Sequence, residues 1–523
     1  MGRRLGYGVA FLVSFALEGN LGCGSSGPSG TTTGAGGAGV DAAVDTPSAG
    51  GAGGAPTTGS GGAGGTADAG TGALSCSDLF APTLQTYSVD ISDADWTAIQ
   101  AEFMSAGMLT DQAFFDYQPK YYPVTFHFGN DASKNAYIRL KGDSSWRETV
   151  QYDGVNGKMQ FVVAFDQLDS QATFHGVGKI GFDMPRADLS FLHDRISNTW
   201  MRQIGIAALC ATSGKLMVNG TYYGLFAAEE RMGHRILGEF FPGNGDNDLF
   251  KGGATAETNS STADWNKLSQ FWNATTPAAL AAIVDLPQSF LTWAAEMMLN
   301  DGDGYWGGDH NFFIYDEGPN QGYVFLPTDL DSTLDFLGYF TGDPVWWWSS
   351  RPGLQFIGQQ YRTAMNDATL RGQYTGAVAT QFGRFDVSQF QSWLDQWSAQ
   401  IRDAVAADPH KPSSTTVAVF DAAVALARQG VQARADFVNQ WLACQQSGSG
   451  VDQDGDGYIW CKECDDTTAT THPGAPEICG NQVDDNCNGL YDEGCPSAGS
   501  ADAGTTTPAP DAGGGPARDG GAD

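Results

Sequence analysis

The sequence predicts an α+β protein of two lobes, with a small cysteine-rich module attached behind them. Three observations predict it. Strand-like runs dominate the first half of a long aromatic-rich stretch, helical periodicity dominates its second half, and a short acidic stretch near the C-terminus has the spacing of a cation-binding loop.

The elements follow in order. Ser92-Asp93-Ala94-Asp95 is a capping cluster that opens a helix before Trp96 and Ile99. Runs at 122–128, 136–141, 160–165 and 216–218 are rich in β-branched and aromatic residues and end at turn formers, the signature of strands. Asn219-Gly220 sits at the turn of a hairpin. Helical patterns then occupy 188–204, 286–299 and most of 386–442, interrupted by two further strand-like runs, FFIY and YVFL.

Composition divides the 523 residues further. Residues 24–75 hold 18 glycines and no lysine, arginine or aromatic side chain, so they cannot bury enough apolar surface to offset ordering entropy and read as a linker. Residues 496–523 repeat that character and read as a disordered tail. The large core, 76–443, carries 13 of the 14 tryptophans. The formal charge of −33 excludes a nucleic-acid binder, which needs basic surface to neutralise phosphates. Ten of those charges sit in the 44 residues 452–495.

At the N-terminus, Gly2-Arg3-Arg4 precedes an apolar run from Leu5 to Leu17 and then Leu21-Gly22-Cys23, the layout of a bacterial secretory signal over 1–23. Its end resembles a lipobox, which implies lipidation of Cys23 and attachment to a membrane, with Asn20 and Glu18 departing from that pattern. The expectation is an exported chain, an outer-membrane lipoprotein or an extracellular surface protein, tethered by a linker of roughly 40 Å r.m.s. reach. Export permits disulfides. Cys76 and Cys444 stand at the two ends of the core, where a disulfide would staple it. Cys210, within an apolar run, reads as a small buried residue. Connectivity stays open.

The acidic stretch has ordered spacing. Asp452, Asp454 and Asp456 take positions 1, 3 and 5 of a twelve-residue calcium loop, Gly457 position 6, Tyr458 the carbonyl position 7, and Glu463 position 12. A shorter copy follows as Asp484, Asn486, Asn488 and Gly489, with Asp492 and Glu493 behind it. No amphipathic helix pair flanks either loop, so cysteines replace helices as the scaffold. The block also resembles the MopE-type metal-binding repeat, through DQDGDGY, C-D-D at 464–466, P-G-A-P-E-I-C at 473–479 and D-D-N-C-N-G-L-Y-D-E at 484–493. That resemblance implies copper, whereas oxygen-rich donors favour calcium in a structural role; calcium is the expectation and copper the alternative.

Several polar segments punctuate the core: Arg139-Leu140-Lys141-Gly142-Asp143-Ser144-Ser145, Lys158 before a strand, Val218-Asn219-Gly220-Thr221-Tyr222-Tyr223-Gly224-Leu225-Phe226 leading to Glu229-Glu230, Leu249-Phe250-Lys251, Asp303 through Asn311, and Pro327-Thr328-Asp329-Leu330-Asp331. In this order they resemble the CotH spore-coat kinase family, whose pattern runs R-x-K-G-N-S-S, a lysine before a strand, V-N-G-x-Y-x-G-L-Y with a following Glu, L-Y-K, W-D-x-Y…H-N-Y-Y-L-Y and P-W-D-L-D. The resemblance spans roughly 134–336. It implies an atypical protein-kinase-like core, ATP, Mg²⁺ or Mn²⁺, and transfer of the ATP γ-phosphate to Ser of proteins.

Phosphoryl transfer needs charge neutralisation and positioning more than covalent help. Lys158, from the strand-rich lobe, is the expected phosphate-binding lysine. Asn311 and Asp329, each beside a strand of one hairpin, are the expected metal ligands, and Asp331 is a second metal ligand or a helix cap. Asp303 matches the family's W-D position and is the expected catalytic carboxylate; Glu230 matches the post-hairpin Glu, at the nucleotide. Arg139 and Lys141 could bind phosphate or be exposed strand charges. Gly302 and Thr328 stand where the family has Trp, Asp143 where it has Asn, and Asp303 precedes Asn311 by eight residues, against roughly five in the ordinary kinase loop. The expected function is a surface-anchored protein kinase acting on cell-surface protein substrates. The alternative is a non-catalytic binding or adhesion protein on a kinase-like scaffold.

Overall fold

A computed structural model describes residues 76–496, apart from 111–112, 115–116, 143, 185–187, 319–320, 335–342 and 348–356. The signal-like segment with Cys23, the linker, Asp143 and almost all of the tail lie outside the described residues.

The chain is a mixed α+β structure. Its first half is a closed barrel of seven strands: β1 (Gln85–Asp90), β2 (Tyr122–Phe128), β3 (Lys134–Lys141), β4 (Gln160–Ala164), β5 (Lys179–Asp183), β6 (Ala211–Val218) and β7 (Thr221–Glu230), in the order β1-β2-β3-β4-β5-β7-β6. Parallel pairing of β1 with β6 closes it, and every other neighbour is antiparallel. Alternation explains the inside of the barrel: Tyr122, Val124 and Phe126 point inward while Pro123 is exposed. Tyr87, Phe161, Phe182 and Phe226 fill the same core. Asn219, at φ +48°, pins the closing edge, because its side chain accepts from the Ile91 amide and donates to the Ile91 carbonyl, at 2.8 and 3.0 Å.

Two helices lie over the barrel, α1 (Asp93–Gly107) and α2 (Ser144–Asp153), joined by stacking of Phe103 on Trp146. Ser92 caps α1, as its sequence predicts. Glu102 of α1 is buried yet satisfied by the hydroxyls of Tyr117 and Tyr122 and the Lys120 amide. Burying an unpaired carboxylate would be prohibitive, so these three donors make the position tenable.

The second half is helical around a four-stranded sheet. Helices α3 (His193–Gln203) and α4 (His234–Phe240) precede β8 (Leu249–Lys251) and β9 (Thr255–Ala256). Next come α5 (Trp265–Trp272), α6 (Pro277–Ile283), α7 (Leu286–Leu299) and the one-turn α8 (Tyr305–Gly308), then the hairpin β10 (Phe312–Asp316) and β11 (Tyr323–Pro327). Sheet order is β11-β10-β8-β9. Helices α9 (Gln359–Met365), α10 (Ala368–Phe382), α11 (Val387–Ala407) and α12 (Val417–Ser447) complete it, so the helical pattern over 386–442 is two helices. This half has its own apolar core, distinct from that of the barrel. Among the described residues no helix is long and apolar enough to cross a membrane.

Beyond α12 the acidic stretch is built of turns, without helix or strand. Disulfides Cys464–Cys487 and Cys479–Cys495 hold it, and Cys444–Cys461 fastens it to the end of α12. The expected staple between the two ends of the core is not formed. Cys76 instead pairs with Cys210, crossing 134 residues to lock the start of the described chain to the barrel. Cys210 is buried as expected, but as half of a disulfide.

Candidate active site and metal-binding module

The functional side chains gather where the barrel meets the second sheet. Residues 311 and 328 are joined across the mouth of the β10/β11 hairpin, the Thr328 amide donating to the Asn311 carbonyl at 3.1 Å. Asn311 and Asp329, both in the left-handed region at φ +45° and +54°, therefore stand at one end of the hairpin. The Asn311 amide donates to Asp303 Oδ2 at 3.1 Å. Asp303 is exposed, and His310 Nδ1 lies 3.7 Å from its other oxygen. Three of the predicted residues are thus brought together by one hairpin and the loop before it.

That loop is held from beneath. The Trp306 amide donates to Glu296 of α7 at 2.7 Å and the Asp303 amide to Asp301 Oδ1 at 3.3 Å. Glu296 and Asp301 are fully buried. Burial and their mutual repulsion push Asp301 well above the ordinary carboxylate range, while burial alone raises Glu296 to about 8. A Cβ on Gly304 would lie 2.4 Å from Asp301 Oδ2, so glycine is required there.

Asp331 follows Asp329 in a 3-10 turn, Leu330–Ser332, which α3 holds in place: His193 Nδ1 lies 3.0 Å from the Asp331 carbonyl, and the hydroxyls of Ser197 and Thr333 share a 2.7 Å hydrogen bond. Asp331 is raised well above the usual range by burial, then by Asp329 and Asp303. It does not cap a helix; Asp329 occupies the position before the turn.

Three barrel and helix carboxylates complete the cluster. Asp183 ends β5 and is paired with Lys141 at the end of β3. Glu229 of β7 accepts from Asn198 of α3 at 3.2 Å, and Asp194 opens α3. Asp194 and Glu229 are pushed well above the carboxylate range. Burial is the main cause; Glu229, Asp331 and Asp329 add to it at Asp194, and Asp183 does so at Glu229, opposed by Lys141. Both Asp194 oxygens and Asp183 Oδ2 are buried without a hydrogen-bond partner.

Two expectations are corrected here. Lys158 does not reach this cluster: it is 1% exposed, donates to the Leu225 carbonyl and to Asp408 Oδ2 at 2.7 Å, and lies over the Phe226 ring. Gly224 makes room for this pair, since a Cβ there would meet Lys158 Cε at 2.8 Å and the Asp408 carboxylate at 3.1 Å. Glu230 is likewise elsewhere. Successive strand residues face opposite sides: Glu230, buried on the side of β7 that Phe226 and Ala228 share, pairs with Arg235, while its neighbour Glu229 faces the site. Only the side of β7 that each residue faces separates Glu229 from Glu230, whereas Lys158, just before β4, is taken up by Asp408 from 250 residues away.

In the module, Asp452, Asp454 and Asp456 bring ligand oxygens within 4.8 Å of one another, as their alternate spacing predicts. The Gly455 and Gly457 amides donate to Asp452, and Tyr458 N to Asp456, folding the loop so that Tyr458 follows the three acids. Glu463 is buried with both oxygens lacking hydrogen bonds, and burial, then Asp456 and Asp454, push it up to about 8. In the second loop Asp484 accepts the amides of Asn488 and Gly489, and Asn486 and Asn488 both donate to Glu493. Asn486 Oδ1 and Glu493 Oε2 are left without partners. All eight cysteines from 76 onward are in disulfides, so none offers a thiolate.

A family model described as CotH kinase protein matches residues 138–438, more than half of the chain. The chain belongs to the CotH kinase protein family. Its match takes in Lys141, Asp183, Glu229, Asp303, Asn311 and Asp329, and extends past the motifs to Asp408 and most of α12. A MopE-type metal-binding motif matches residues 464–493, covering the second loop and leaving the first loop upstream of it. No curated protein matches the chain. Membership makes this a kinase-like protein whose family uses ATP and metal.

Proposed function

We propose that this CotH family chain is a two-lobed, atypical protein kinase, exported and held at the cell surface, that transfers the ATP γ-phosphate to serine hydroxyls of surface proteins. The observation that carries the reading is the hydrogen bond from Asn311 to Asp303 at the mouth of the β10/β11 hairpin, with Asp329 at the same mouth and Lys141 facing from the barrel. The separate cores of barrel and helical half support the two-lobed description.

The residues fit a nucleotide with a divalent cation. Asp183 and Asp194 hold buried oxygens without partners, and Asp194, Glu229 and Asp331 are raised by burial first and then by one another's charge, which a bound cation would offset. The donors are all oxygen, which suits Mg²⁺ or Mn²⁺. Asp329 and Asn311 would hold the cation, with Asp331 behind them, and Lys141 the phosphates. Bound Mg²⁺–ATP supplies the phosphoryl group and neutralises charge as it moves. Asp303, exposed and oriented by Asn311, accepts the proton of the incoming serine hydroxyl. Glu229 and Asp183 set the position of the Lys141 ammonium, and Glu296 and Asp301 fix the loop bearing Asp303.

The C-terminal loops hold calcium in this reading, because their free donors are carboxylate, amide and carbonyl oxygens while disulfides remove the soft sulfur that copper favours. Four disulfides support an oxidising compartment, in line with the signal-like N-terminus and a lipid on Cys23. The reading is tested by nucleotide binding to the purified chain: Mn²⁺–ATP should bind the wild type and bind Lys141→Ala far more weakly. Equal binding by the two would overturn the assignment of Lys141.

A further inference from the structure

We propose that the cation loop at 484–493 braces the segment carrying Asp303 through α9, so that the C-terminal module and the phosphotransfer site are energetically coupled. This rests on the reading that the loop holds calcium.

The contacts form one continuous chain. Asn366, just past α9, donates its side-chain amide to the Asn488 carbonyl at 2.8 Å. A Cβ on Gly489 would lie 3.1 Å from Arg362 Cγ and Cδ and from Ile357 Cδ1, so the loop backbone is laid directly on α9 and the residue leading into it. At its other face α9 grips Tyr305: the Tyr305 hydroxyl donates to Gln360 at 2.9 Å and accepts from the Tyr361 amide at 3.3 Å. Gly358 is packed so closely beneath the Tyr305 ring that a Cβ would fall 2.4 Å from it. Tyr305 is two residues from Asp303, and the intervening Gly304 is wedged against Asp301.

A cation bound by Asp484, Asn486 and Asn488 fixes residue 488, whose carbonyl is the handle by which α9 is held. Close packing at Gly489, Gly358 and Gly304 leaves little slack to absorb a shift, so ordering at one end is felt at the other. Coupling of this kind is reciprocal: a nucleotide that orders the Asp303 segment tightens calcium at the module by the same factor.

Hydrogen exchange of the full mature chain, in calcium and in chelator, tests this without ATP. Calcium should slow amide exchange at 484–493 and, in the same titration, by about fivefold or more at 303–309. In Arg362→Ala/Asn366→Ala the first response should persist and the second vanish. Asp484→Ala should abolish both while the loop at 452–463 still responds. A wild-type response at 484–493 with none at 303–309 overturns the brace alone, as does a 303–309 response surviving in either variant. Silence at both segments overturns the calcium reading and the brace together. In no case does the kinase reading depend on the outcome.

Discussion

Lys158 and Asp408, 250 residues apart in the chain, form a fully buried ion pair of 2.7 Å that ties the barrel to the turn after α11. The Leu225 amide and the His410 amide also donate to Asp408, at 2.8 and 2.9 Å. This is an architectural joint, and its removal should be felt in stability. Asp408→Ala leaves a buried lysine unpaired and should cost about 3–5 kcal/mol, whereas replacing both partners with Lys158→Met/Asp408→Leu should recover much of the loss. Denaturant melts of the three variants check it; a double variant no better than the single would contradict the joint.

Lys141 should behave in the opposite way. Lys141→Ala removes a charge from the cluster and is expected to lower phosphotransfer by about 10²–10³-fold. Lys158→Met, assayed where it is folded, should keep most of its nucleotide affinity. Titration with Mn²⁺–ATP distinguishes the two lysines.

The neighbouring glutamates make a similar pair. Glu229→Gln, on the site face of β7, should abolish transfer while leaving the fold intact. Glu230→Gln weakens only the Arg235 pair and should cost about 1–3 kcal/mol of stability with activity retained. Equal losses of activity would contradict the strand register as the deciding factor.

Calcium should raise the melting temperature, by the equivalent of about 2.7 kcal/mol at a hundredfold excess over Kd. Glu463→Ala should remove the part of that response due to the first loop. An unchanged melt in calcium would count against both loops.

Glu317 gives a pH dependence with a definite sign. Burial, then Asp285, push its carboxyl from 4.5 to about 7. Between those values the folded chain binds more protons than the unfolded chain, so stability falls as pH rises. Glu317→Gln should flatten that part of the profile in urea melts at pH 5 and pH 7.

Much of this architecture was legible in the sequence because it is local. The capping cluster at Ser92, strand β2, the Asn219-Gly220 turn and helix α7 each follow from residues within one element. The grouping of Asp452, Asp454 and Asp456 was legible for the same reason, since their spacing brings them together. What spacing cannot give is which face of a strand a residue occupies once the barrel closes, and that is why Glu230 rather than Glu229 is the residue the motif singles out; Lys158, just before β4, is instead claimed by Asp408, a contact across 250 residues. Asp183 and Asp194 carried no motif signal at all. Their place in the cluster comes from β5 and α3 being folded against the 329–331 turn, a long-range event. The cysteine pairing failed on the same ground: Cys76 meets Cys210 because barrel closure brings β1 alongside β6.

Phosphotransfer by the Asp303 site is decided by an assay with labelled ATP. The purified chain, given γ-labelled ATP with Mg²⁺ or Mn²⁺ and candidate surface proteins, should transfer label to serine. Asp303→Ala and Asp329→Ala should each reduce it by at least about a hundredfold. A wild-type chain that neither binds the nucleotide nor transfers label would rule out a kinase site at Asp303.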